Sequence, residues 1–360
     1  MTSPLTAWAG LVRQGVRSAA YYGLGELTGR MARRYAPQMP RYKPQRPSPS
    51  RNALLAAVWA LMQRDAALVR AGVCPPFPAD DGTPLQWLAR VRAMIADLPE
   101  AARRAAGGEG QDVRGETQGE TQGASAAGPL PDYYLQNFHY QSGGYLTADS
   151  ARLYDVQVET LFMGTASLMR RQTLAPIADY LRGRDQRRMQ MADIACGTGR
   201  FLGQVLEVYP RLSVTGIDLS AAYLDEARDH LRMIGRDRNA VRLMAANAES
   251  LPLADASQDI VTVIFLFHEL PAPVRRRVAA EMARVLKPGG LLVYLDSAQF
   301  GDLPGWDGAL ESFPHRFHEP YYRHYLEDDL DGIFADAGLA AQETSIVLLS
   351  KLMVRRKAMR

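Results

Sequence analysis

Short apolar runs alternate with amphipathic stretches through the second half of the chain. The runs at 190–195, 212–218, 240–245, 259–266 and 291–296 are brief and rich in Val, Ile and Leu. Strands covered on both faces require that composition. Between them, 200–208, 221–234 and 273–286 carry apolar residues at helical spacing. A further helix is predicted at 326–337, then two closing strands near 341–349 and 351–356. Such alternation predicts a mostly parallel α/β sheet with helices on both faces. Ligands of such sheets bind at the carboxyl ends of the strands, where the strand order reverses.

The first half reads differently. Trp8, Leu11, Val12, Val16, Ala19 and Ala20 predict a helix over 5–35, with Arg residues between them. That helix either lies at an interface or packs on its own domain. The five prolines of "APQMPRYKPQRPSPS" (36–50) exclude helix there. Two more helices are expected at 51–70 and 84–105, separated by Pro75, Pro76 and Pro78. Residues 106–131 are low-complexity, with "GETQ" twice in tandem, and have little to bury. They are expected to be a disordered linker. The chain thus divides into a helical region (1–105), this linker, a lid with leading helices (132–184, helical over 149–183), and an α/β domain (185–360).

Composition changes the picture only locally. The chain has 360 residues and two cysteines, Cys74 and Cys196, which is no disulfide framework. It shows no secretory signal and no apolar run of the roughly 18 residues a membrane span needs, so a cytoplasmic protein is expected. Net charge is +3, but residues 1–51 hold nine Lys or Arg against the one acid Glu26, leaving −5 for the rest. Such a basic arm suits an anionic membrane surface, nucleic acid or water.

Candidate chemistry begins at "MADIACGTGRFL" (191–202). Gly197 and Gly199 stand between a strand and a helix, where glycine permits a tight turn and close approach of a ligand. Asp218, nineteen residues beyond Gly199, ends the next strand, where a carboxylate can accept both ribose hydroxyls of an adenosine. This suits NAD or S-adenosylmethionine (SAM). Leu202 replaces the third glycine of the dinucleotide fingerprint, which argues against NAD, and Asp193 suits a cationic ligand better than a pyrophosphate.

"DIACGTGRFL", "VTGIDLS", "ANAESLPLADASQDIVTVIFLFHELP" and "RVLKPGGLLVYLD" come in the order and spacing of class I SAM-dependent methyltransferases. Over roughly 185–357 the chain resembles that family, and within it the small-molecule group that includes quinone-biosynthesis C-methyltransferases. The resemblance implies a Rossmann-like sheet of seven strands, here with an extra N-terminal helical region. It implies SAM as cofactor, with Asp193, Gly197 and Gly199, and Ala195 between them, at its methionine end. Asp218 would bind the ribose, Leu219 would pack on the adenine, and Asn247 and Ala248 would sit at the adenine edge. Asn247 stands where the family commonly has Asp. Phe265 and Phe267 would lie beside cofactor and acceptor. "LKPGG" (286–290) is expected to turn the chain out of a helix into a strand.

A base is needed only if the acceptor arrives protonated. His268, after the fourth strand, is one candidate; its neighbour Glu269 is expected to be salt-bridged or capping. The other candidates lie in "FPHRFHEPYYRHY" (313–325), which holds His315, His318 and His324 among aromatic residues. The spacing H-x₂-H-x₅-H matches no zinc signature, so no metal is expected. The stretch is instead expected to wall an acceptor pocket through His315, His318, Tyr321 or Tyr322. Residues 132–155 are expected to form a lid facing it, with His139 and Tyr145 toward the acceptor.

The resulting expectation is a SAM-dependent methyltransferase acting on a small or lipid-like molecule, with peripheral membrane contact or a homodimer as roles for the N-terminal region. A nucleic-acid methyltransferase is disfavoured, because "FLFHELP" stands where such enzymes carry Asn/Asp-Pro-Pro-aromatic. A non-catalytic SAM-binding protein and an NAD-dependent oxidoreductase are the competing classes.

Overall fold

The computed structural model describes residues 4–38, 42–76, 82–107, 130–141, 143–236 and 241–359. The expected linker lies almost wholly outside the described residues. Three helices lead the chain: α1 (Pro4–Tyr35), α2 (Arg51–Arg70) and α3 (Pro84–Gly107). Ser50, the last residue of the proline-rich stretch, caps α2 by accepting the Ala53 N–H at 3.1 Å.

Residues 148–181 form three helices where one long helical region was expected: α4 (Ala148–Leu161), α5 (Ala166–Arg171) and α6 (Leu174–Leu181). The break falls where Met163 and Gly164 take φ of 53° and 73°. Glu159 fastens it, accepting the N–H groups of Ala166 and Ser167 at 3.2 and 2.8 Å and pairing with Arg17 of α1 at 3.2 Å.

The remainder runs β1 (Gln190–Ile194), α7 (Arg200–Val208), β2 (Ser213–Asp218), α8 (Ala221–Met233), β3 (Val241–Ala245), β4 (Gln258–Ile264), α9 (Ala272–Val285), β5 (Leu286–Ser297), α10 (Asp307–Arg316), α11 (Tyr322–Tyr325), α12 (Leu330–Asp336), β6 (Leu339–Val347) and β7 (Ser350–Lys357). The seven strands lie in the order β3-β2-β1-β4-β5-β7-β6. Pairs among β1 to β5 are parallel, and β7 is antiparallel to both β5 and β6. The chain winds outward through β3 and then restarts at β4, so β1 and β4 flank the switch point.

Three boundaries differ from the sequence reading. β4 ends at Ile264 because Phe265 turns to φ 57°. "LKPGG" opens β5 through an irregular register opposite Gln258, with Gly289 at φ 71°, so it belongs to the strand and not to a turn before it. The helix expected at 326–337 starts only at Leu330, where Asp329 caps it by accepting the Gly332 N–H at 2.9 Å.

Apolar side chains pack on both faces of the sheet, and one of these cores also takes Val58, Leu61 and Met62 of α2. Arg171 of α5, wholly buried, pairs with Asp65 of α2 at 2.8 Å and donates to the Pro75 carbonyl at 2.6 Å. Removing one partner of such a buried pair costs about 3–5 kcal/mol. The leading helices are therefore part of the same packed body as the sheet.

Candidate active site

Two cavities meet above the switch point. The first follows the carboxyl ends of β1, β2 and β3. Asp218 organises it: its two oxygens accept the N–H groups of Gly197 (2.8 Å) and Ser220 (2.9 Å), tying the glycine loop to the end of β2. Burial pushes this carboxyl up to about 6 despite those hydrogen bonds. Gly197 takes φ 53°, and a Cβ added there would meet nothing nearer than a Tyr223 ring carbon at 4.0 Å. Its backbone thus forms cavity wall where any side chain would take up ligand space. Ala195, Leu219, Asn247, Ala248 and Phe265 line the same cavity. These features fit SAM: a buried carboxylate with unused lone pairs for hydroxyls, an open glycine wall and apolar sides for an adenine.

Two other expected cofactor residues, Asp193 and Gly199, do not line this cavity. Asp193 is buried behind the wall and accepts from the Thr262 hydroxyl at 2.5 Å, because alternate strand residues face opposite ways. Burial raises it to about 7. Gly199 begins α7 at φ 71°; a Cβ there would lie 2.9 Å from the Ala227 Cβ, so it serves the packing of α7 on α8. The Asn247 carbonyl oxygen already accepts the Glu249 N–H at 2.9 Å, which turns it toward its own loop.

The second cavity encloses about 650 Å³, mouth included. Val158, Leu161, Phe162, Leu310, Phe313 and Leu349 make it largely apolar, and His139, His268, Glu269, Ser297 and Tyr322 supply its polar groups. Tyr154, Phe265 and Glu269 line both cavities and form their common wall.

His268 is held by Asp296, the last acid of β5. Its Nδ1 lies 2.5 Å from Asp296 Oδ1, and Asp296 Oδ2 accepts the N–H groups of Leu266 (3.1 Å) and Phe267 (2.7 Å). Asp296 thereby fixes the sharp turn that ends β4. Burial alone would lower the His268 pKa, but the Asp296 carboxylate outweighs it and raises it to about 10, so the ring is an imidazolium at neutral pH.

A chain of polar contacts continues around the cavity. The Tyr145 hydroxyl donates to Glu269 Oε1 at 2.5 Å and lies 2.9 Å from His139 Nε2, while the Tyr145 carbonyl accepts the Ser220 hydroxyl at 2.7 Å. His139 Nε2 also lies 3.1 Å from Glu319 Oε1. The two segments expected to face each other do so: the His139 N–H donates to the His318 carbonyl at 3.2 Å, and the Tyr140 and His318 rings are 5.8 Å apart.

Within 313–325 the histidines are not the groups that reach the second cavity. His315 is exposed and stacks on Tyr42 at 3.6 Å, because α10 turns it toward the proline-rich stretch. The His318 ring faces Gln136 at 3.4 Å. Tyr321 packs beside Phe138 and Tyr145, and its carbonyl accepts from Arg275 at 3.1 Å. Phe267 is fully buried against Tyr294 and Phe334, since the turn after Phe265 points it into the core. Tyr145 lines the first cavity, not the second. From this stretch, Phe313, Glu319 and Tyr322 reach the cavity or its polar chain.

Asp296, Glu319 and Tyr154 receive no site reading from the sequence, and Glu269, expected only to be salt-bridged or capping, lines both cavities. Asp296 had a readable signal, an acid closing the apolar run "LLVYL" just as Asp218 closes β2. Glu319 had none, because its neighbour His139 is remote in sequence.

Residues 191–290 match a family model described as a methyltransferase domain. A demethylmenaquinone methyltransferase of Listeria welshimeri is 34% identical over 131 residues, 36% of this chain and 53% of the relative. A ubiquinone/menaquinone biosynthesis C-methyltransferase of Methylobacterium nodulans is 32% identical over 169 residues, 46% of this chain and 63% of the relative. The chain thus spans about half to two thirds of the length of the curated relatives it matches. Among solved structures, a SAM-dependent methyltransferase of Methanosarcina mazei aligns with 50% of this chain and 97% of its own (TM-score 0.41, 20% identity).

Proposed function

We propose that this chain, which carries a class I SAM-dependent methyltransferase domain, methylates a small, largely apolar acceptor bearing an acidic oxygen, such as a phenol or quinol. One observation carries the reading: a cavity fitted to SAM shares a wall of Tyr154, Phe265 and Glu269 with an apolar cavity that holds one buried imidazolium. Bound SAM supplies an electrophilic methyl carbon on a sulfonium. The chain's own part is placement, since reacting atoms must be held about 3–3.5 Å apart and aligned. Asp218, Gly197 and Leu219 fix the donor side. Phe162, Phe313 and Leu310 exclude water and orient an apolar body on the acceptor side. His268, kept protonated by Asp296, places positive charge beside the acceptor oxygen and so favours binding of a phenol or enol as its oxyanion, its proton already given up to bulk water before binding. One relative is named a demethylmenaquinone methyltransferase and another a ubiquinone/menaquinone biosynthesis C-methyltransferase, which supports a quinol-type acceptor.

The N-terminal region extends the proposal to lipid surfaces. Among the described residues no helix is long and apolar enough to cross a membrane. Yet Trp8, Val12 and Val16 stand exposed at four-residue spacing on α1, in the most basic part of the chain. That combination suits an anionic bilayer surface, where lipid-like acceptors reside.

Calorimetric titration with SAM and with NAD tests the core of the reading. SAM binding with no NAD binding is expected, and complete absence of SAM binding overturns it. Transfer of labelled methyl from SAM into hydroxylated aromatic rings with apolar tails tests the acceptor class. Sedimentation of the full chain with phosphatidylglycerol against phosphatidylcholine vesicles tests the membrane surface.

A further inference from the structure

His139, Glu269 and Glu319 bring three metal-ligating side chains together at the edge of the second cavity. One ligand atom from each lies within 4.8 Å of the others. His139 Nε2 is 3.1 Å from Glu319 Oε1 and 3.8 Å from Glu269 Oε1. Donors at adjacent corners of an octahedral cation site with 2.1 Å bonds stand about 3.0 Å apart, so side-chain adjustments of less than about 2 Å close this set around an ion.

The second observation is Glu319 itself. Its side chain is wholly buried, and neither carboxylate oxygen has a hydrogen-bond partner. Buried carboxylates are ordinarily saturated with donors, because an unmet one costs several kcal/mol. Among the described residues the His139 ring is the one group paired with it, and that single Nε2 position is shared with the Tyr145 hydroxyl at 2.9 Å. Among those residues Glu319 Oε2 has no partner.

Charge points the same way. Three buried or half-buried carboxylates (Glu269, Glu319 and Asp296) face two imidazoles (His139 and His268). Among the described residues no Lys or Arg pairs with Glu269 or Glu319. A cationic cofactor would face Glu269 but not Glu319, which does not line its cavity.

We propose that His139, Glu269 and Glu319 bind one divalent cation, of the class that accepts an imidazole with two carboxylates such as Mn²⁺ or Zn²⁺. His139 and Glu269 both line the acceptor cavity, so the cation's remaining positions open into it. There it takes acceptor oxygens, most tightly a vicinal pair that chelates. This last role rests on the methyl-transfer reading; the cation site does not.

The test uses the full chain stripped with chelator and dialysed, then titrated with Mn²⁺ alone under electron paramagnetic resonance. One tightly bound Mn²⁺ per chain is expected, displaced by Zn²⁺ and showing coupling to a single imidazole nitrogen in pulsed spectra. Glu319→Gln and His139→Gln are each expected to weaken it at least tenfold, while Asp225→Asn, an exposed acid on α8, leaves it unchanged. Circular dichroism and SAM titration of each variant report folding. The pulsed spectrum of the unaltered chain decides should a variant fail to fold. Absence of stoichiometric Mn²⁺ and Zn²⁺ binding, binding without nitrogen coupling, or binding indifferent to both variants overturns the proposal. A chain that binds SAM but no cation loses only this proposal, and one that binds cation but no SAM loses only the methyltransferase reading.

Discussion

The two cavities are built by opposite strategies. The cofactor half is made where the chain leaves the ends of β1 to β4, whose short motifs supply its floor, with Tyr133, Tyr134, Tyr145, Tyr154 and Tyr223 added from elsewhere. The acceptor half is made of side chains brought from 139, 154–162, 265–269, 297, 309–322 and 349–350. One half is set by strand topology and the other by long-range packing. A cofactor common to many enzymes is met by topology, whereas an acceptor specific to one is met by insertions that can vary without disturbing the sheet.

If the halves are separable, single substitutions should damage one and spare the other. Asp218→Ala removes a carboxylate that joins two backbone donors, each such bond to a charged group being worth about 1.5–3 kcal/mol. SAM affinity by calorimetry should fall about 10³-fold. His268→Gln should leave SAM affinity within about threefold while lowering kcat about 10²-fold, the usual cost of a charged group at a developing oxyanion. Comparable losses of SAM binding in both variants would erase the distinction between the halves. Acid should also act on the cofactor half. Asp218 accepts ribose hydroxyls best when ionised, and its pKa is raised to about 6. SAM affinity should therefore be flat above about pH 7 and fall by up to about tenfold per unit below pH 6, a slope absent from Asp218→Asn. Tyr145→Phe is the smallest and most diagnostic change. Its hydroxyl joins Glu269 and His139 while its carbonyl holds Ser220, so losing the hydroxyl should cost about 1 kcal/mol, about fivefold, in acceptor KM and less in SAM affinity.

The contrast also explains what could be read from sequence. The alternation of apolar runs gave the sheet and its helices to within a few residues, because buried parallel strands leave a continuous signal. Gly197, Asp218, Leu219 and Phe265, expected at the cofactor, line the first cavity because each lies at or just beyond the end of a strand. Asp193 and Gly199 belong to the same motif but serve the wall and the helix packing, a difference of facing that a linear pattern does not record. In 313–325 the histidines drew attention by number, while the groups that reach the cavity or its polar chain are Phe313, Glu319 and Tyr322. Which face of a ten-residue helix meets the core depends on Tyr42 and Glu311 joining across 269 positions, and no local spacing encodes that.

Glu269 belongs to both cavities, and that gives turnover a direction. A positive charge in the cofactor cavity and a ligand in the acceptor cavity are felt by the same carboxylate. The factor by which one alters the other's affinity must therefore hold in both directions. On the proposed reading, the molecule in the first cavity is cationic before transfer and neutral after it. The attraction that couples the two occupants is thus present while they wait to react and gone once they have. The chemical step itself loosens the complex, and the neutral product departs against a weaker hold than the one that admitted its parent.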